Sequence, residues 1–106
     1  MSIKQLEEYD YERLENYWFR FREFVAIDET NPIKKRNIDN IKNAIESLYN
    51  ESEGLMRELI ERGYFDAIAG KIDSQYMAKQ LDITPSKLGN MRKGLMKETA
   101  ELIGWV

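Results

Sequence analysis

Residues 81–94 read LDITPSKLGNMRKG. Thr84 is followed by Pro85, a side-chain oxygen that can accept from a free helix N–H and a ring whose fixed φ suits the first helical position. A helix is therefore predicted to start here. Leu88, Met91 and Leu95 follow at spacings of 3 and 4 and form its inward face. Upstream, SQYMAKQL (residues 74–81) predicts a shorter helix, capped by Asp73 or Ser74, with Met77, Ala78 and Leu81 inward. Ala78 is small where a second helix must come close. Asp82 tolerates left-handed backbone, and Ile83 plugs the turn. Short helix, turn residue, plug, cap and second helix occur in the order a helix-turn-helix requires.

The outward residues of the second helix carry the functional expectation. No acid occurs from Ile83 to Lys97. Ser86, Lys87 and Asn90 are types that reach base edges or phosphates, while Arg92, Lys93 and Lys97 suit phosphates. With the cap, the expected DNA-binding set is Thr84, Ser86, Lys87, Asn90, Arg92, Lys93 and Lys97. Gly89 and Gly94 together cost about 2 kcal/mol of helix propensity relative to Ala. Two readings account for them: a partner approaching closely, or a tight helix–helix contact.

Farther upstream, a first helix is predicted over about 3–26. Tyr11, Leu14, Trp18, Phe21 and Val25 recur at 3, 4, 3 and 4, with no Gly or Pro to interrupt them. Tyr17, Phe19 and Phe24 lie off this seam, so the second half is apolar on more than one face. A dimer interface is the natural cover for such a helix. Asn31 and Pro32 then read as cap and first residue of a second helix, with Ile38, Ile41, Ile45 and Leu48 inward. The matching seams predict an antiparallel helical hairpin over 1–50, followed by a helix-turn-helix module over 51–106, all-α throughout. Lys34, Lys35 and Arg36 sit in the first turn of the second helix, against the macrodipole, and read as a solvated edge or a ligand contact. A break is expected near Gly54, with Asn50 and Glu53 as a capping box. Gly63 is expected to end the next helix, with Tyr64, Phe65 and Ile68 packed inward. The apolar tail Leu102, Ile103, Trp105 and Val106 is expected to dock on the hairpin or join a partner.

Composition limits the chemistry. The 106 residues fit one small domain and contain neither His nor Cys. Thiol catalysis, disulfides, His-dependent triads and the common zinc sites are thereby removed. The nucleotide-binding and nucleophile-elbow glycine motifs are missing too, so no enzyme, catalytic residue, metal or cofactor is expected. No apolar run spans a membrane and the acidic start is unlike a signal peptide, so a cytoplasmic location is expected. The net charge is −3. Residues 1–70 carry ten basic and fifteen acidic residues, residues 71–106 six and four. The basic end is the one a DNA-binding module would use.

Residues from about Glu53 to Leu102 resemble the helix-turn-helix of the fourth domain of bacterial sigma factors. The matching positions are Met77, Ala78, Leu81, Asp82, Ile83, Thr84, Leu88 and Met91, followed by a long basic helix. Sigma-like modules usually have Gly where this chain has Asp82. The layout as a whole resembles small phage transcriptional regulators of the RinA and ArpU type. The resemblance implies binding of double-stranded DNA and control of late or packaging genes. A homodimer is the expected state, with RNA polymerase a candidate further partner. The competing expectation is a protein-interaction adaptor or inhibitor that uses the acidic hairpin and its aromatics Trp18, Phe19 and Phe24; a small DNA-packaging subunit is a third.

Overall fold

Every regular element among the described residues is helical, and no strand occurs there. The computed structural model describes residues 6–26, 28–67 and 70–105. Ile68 and Val106, whose packing the sequence predicts, lie outside them. The order is α1 (Glu8–Phe19), α2 (Phe21–Ala26), α3 (Pro32–Glu51), α4 (Gly54–Glu58), a π-helical segment (Leu59–Phe65), α5 (Ser74–Gln80) and α6 (Pro85–Ile103).

The expected first helix is two. It breaks at Arg20 (φ −97°, ψ 12°), whose side chain pairs with Glu23 at 2.6 Å. The break resets the helical register: Phe24 is buried, and Val25, expected inward, is 53% exposed. Aromatic packing accounts for the change. Tyr17 meets Phe24 at 5.9 Å between ring centroids, and Phe21 stacks on Phe65 at 5.3 Å. The aromatics that suggested a dimer seam thus find partners within the chain.

The expected hairpin is also rearranged. α1 packs on α6 and the π-helical segment, while α3 packs on α6 and α2. The long C-terminal helix therefore lies at the centre. One core joins Leu14 and Trp18 of α1, Ile45 and Leu48 of α3, Leu59, Ile60 and Tyr64, and Leu88, Leu95, Met96 and Ala100 of α6. A buried polar link crosses it: Trp18 Nε1 donates to Thr99 Oγ1 at 3.0 Å, and Thr99 Oγ1 donates to the Leu95 carbonyl at 2.8 Å.

Local chemistry sets most boundaries. The Asn31 side chain accepts from the backbone N–H groups of Ile33 and Lys34, with Pro32 at the first helical position. The break near Gly54 is present, but its cap differs from the expected box. Ser52 Oγ donates to the Tyr49 carbonyl at 2.6 Å, Glu53 stands at the N-cap, and Gly54 takes φ +56°. Gly63 does not end a helix. It is buried inside the π-helical segment, where an added Cβ would meet Leu59 Cδ1 at 3.0 Å and Ile72 Cδ1 at 3.2 Å. Asp66 N–H closes the segment on the Glu61 carbonyl at 3.0 Å.

The 81–94 stretch folds as its residues dictate. Asp73 caps α5 by accepting from Tyr76 N–H at 3.1 Å. Asp82 is left-handed, at φ +57°. Ile83 N–H donates to the Ala78 carbonyl at 2.9 Å and Asp82 N–H to the Lys79 carbonyl at 3.2 Å, the paired bonds of a Schellman ending. Thr84 Oγ1 accepts from Lys87 N–H at 3.1 Å, and α6 begins. It ends at left-handed Gly104, after which Trp105 docks on α1 against Tyr17, at 6.1 Å, and Arg13, at 5.1 Å.

Candidate nucleic-acid interface

Six of the seven residues expected at DNA stand exposed on α6 or its cap: Thr84, Ser86, Lys87, Asn90, Lys93 and Lys97. At 3.6 residues per turn, Ser86, Asn90, Lys93 and Lys97 fall along one stripe, with Lys87 and Gly94 beside it. The burial of Leu88, Leu95, Met96, Thr99 and Ala100 on the opposite side fixes this orientation. Lys87, Lys93 and Lys97 have no ion-pair partner among the described residues. A Cβ added at Gly89 or Gly94 would meet nothing within 4 Å. A tight helix–helix contact therefore does not account for the two glycines.

Arg92 is placed differently from its expected role at a phosphate. Its Nε and Nη2 grip the two carboxylate oxygens of Glu15 at 2.8 and 2.9 Å, and Nη1 donates to Ser74 Oγ at 3.2 Å. Tyr64 O–H donates to the same carboxylate at 2.6 Å. The cluster ties α1, the π-helical segment, α5 and α6 together. Burial pushes the Tyr64 phenol well above its ordinary range, and the neighbouring Glu15 charge adds to the shift. Burial alone would lower Arg92. The hydrogen bond and charge of Glu15 outweigh that and hold the guanidinium more firmly protonated than usual.

Sequence reasoning passed over Glu15 because it looks like any other acid on an acidic helix. Nothing local to residue 15 signals a partner at residue 92. The acids that border the stripe were missed for the same reason. Glu8, Tyr11, Glu12 and Glu15 of α1 face Gly89, Arg92, Lys93 and Met96 of α6 across an open groove of about 600 Å³. The basic stripe thus has an acidic wall along one side. No group of three or more acidic side chains suited to a metal ion occurs among the described residues, and no helix there is long and apolar enough to cross a membrane.

Comparison with protein-family models, with curated proteins and with solved structures finds no match. The functional reading therefore stands on the residues themselves.

Proposed function

We propose that this protein is a DNA-binding transcriptional regulator in which α5 and α6 act as a helix-turn-helix. α6 enters the major groove from its Thr84 end, with Ser86, Lys87 and Asn90 at base edges and Lys93 and Lys97 at phosphates. One observation carries the reading: an exposed stripe free of acids, with three unpaired lysines, Gly94 beside it and the half-buried Gly89 at its groove edge, both glycines with open Cβ positions. A merely solvated helix face gains nothing from two glycines. A face that another backbone must approach does. Arg92 has no part in the contact, being held by Glu15. Two copies on half-sites roughly 34 Å apart, with RNA polymerase as a further partner, complete the proposal.

The adaptor reading drew on the overall acidity and on the aromatics Trp18, Phe19 and Phe24, and the aromatics lend it little. Trp18 is fully buried, Phe24 is 7% exposed and Phe19 packs on Tyr64 at 5.0 Å, so that face is occupied. The test is binding to a selected cognate duplex. Lys87→Ala with Asn90→Ala lowers specific affinity at least about tenfold, since each good base contact contributes roughly 1–3 kcal/mol. The melting temperature stays the same, because neither side chain is in the core. Unchanged affinity in the double variant removes the assignment.

A further inference from the structure

The acidic wall of the α1–α6 groove is explained only in part by the fold: Glu15 holds Arg92, and Glu8 lies in the first turn of α1, where the helix dipole favours an acid. Glu8 and Glu12 are exposed, face the groove that Gly89 and Lys93 line, and have no ion-pair partner among the described residues. Glu15, one turn farther along the same helix, is fully engaged with Arg92 and Tyr64. The groove therefore leaves Lys93 unpaired beside two free carboxylates. We infer that Glu8 and Glu12 are specificity-determining residues for nucleic acid: they repel phosphates from the α1 side of the groove, and so restrict DNA to the Ser86–Asn90–Lys93–Lys97 stripe and suppress sequence-independent binding. The inference rests on the reading of α6 as the DNA-facing helix.

The physics is a balance of ranges. Sequence-independent affinity comes from summed charge on the phosphate backbone, and charges act over a Debye length of about 8–10 Å at ordinary salt. Acids that border a basic stripe fall within that range of any phosphate on their side. They lower affinity for every sequence, whereas base contacts made by Ser86, Lys87 and Asn90 are short-ranged and survive. The wall is also fixed in place. Arg92 clamps α1 to α6 through Glu15, and Trp18 binds Thr99 at 3.0 Å, so Glu8 and Glu12 cannot swing away with their helix.

The test uses the full chain and a random-sequence 30-base-pair duplex, with affinity read by fluorescence anisotropy at several salt concentrations. Glu8→Gln with Glu12→Gln is compared with Glu51→Gln with Glu58→Gln. The second pair removes the same charge from exposed positions that do not line the groove. The expected result is a gain of about three- to tenfold in random-duplex affinity for the groove pair at low salt, and under twofold for the distant pair. The slope of log affinity against log salt stays the same, because no cation is added. Equal gains for both pairs show a net-charge effect and overturn the inference. No gain for the groove pair, with wild type still binding, also overturns it while leaving the reading of α6 intact. Absence of DNA binding in wild type and both variants defeats that reading and the inference with it.

Discussion

The Arg92 side chain joins α6 to α1 and α5, and through Glu15 to Tyr64 of the π-helical segment. Its bidentate pair with Glu15 is largely shielded, the two side chains being 22% and 16% exposed. Removing one member leaves a partly buried charge with its best partner gone. Arg92→Met is expected to destabilise the fold by about 2–3 kcal/mol, measured by urea unfolding. A loss under 0.5 kcal/mol, at the level of an exposed surface pair, contradicts this placement. Tyr64 gives a second prediction, in pH. Its folded phenol keeps its proton to higher pH than the unfolded one, whose ordinary value is 10.0. Above that value the unfolded state releases a proton that the folded state retains, so stability is fully present below about pH 10 and falls as pH rises beyond it. Tyr64→Phe removes this contribution, and its stability declines less steeply above pH 10 than that of wild type. Parallel declines show that the phenol does not contribute.

At the scale of elements, the boundaries with chemical causes inside a few residues were legible in the sequence. Asn31–Pro32 and Thr84–Pro85 start helices where they should, and Asp82 takes the left-handed turn. The misread boundaries depend on distant partners. The break at Arg20 needs Phe65 and Tyr17 to draw Phe21 and Phe24 inward. Gly63 is read as a helix end until Ile72 is seen against it. The hairpin differs for the same kind of reason: the seams of α1 and α3 are buried as expected, but matching seams do not reveal that α6 will be the partner both of them face. Of the site, the exposed set on α6 followed from helical spacing alone, and the withdrawal of Arg92 did not. Gly94 offers the sharpest prediction at this scale. Its Cβ position is open, so Gly94→Ala should stabilise α6 by about 0.5–1 kcal/mol. The same variant should bind cognate DNA more weakly, because the methyl group stands where the duplex approaches. Stabilisation without loss of binding would place the duplex elsewhere.

Taken whole, the molecule is acidic by three charges yet carries three unpaired lysines, Lys87, Lys93 and Lys97, on the exposed side of its central helix. Net charge alone would argue against nucleic acid, and the distribution argues for it. The single core that joins both ends of the chain gives this surface a rigid support, with α1, α3 and α5 packed around α6. The central claim is that this surface meets phosphates. The direct measurement is the salt dependence of wild-type binding to duplex DNA. With Lys93 and Lys97 at phosphates, log affinity falls against log salt with a slope of about −1.8, and Lys93→Ala with Lys97→Ala brings the slope toward zero. A wild-type slope near zero, or one that the double variant leaves unchanged, contradicts the account.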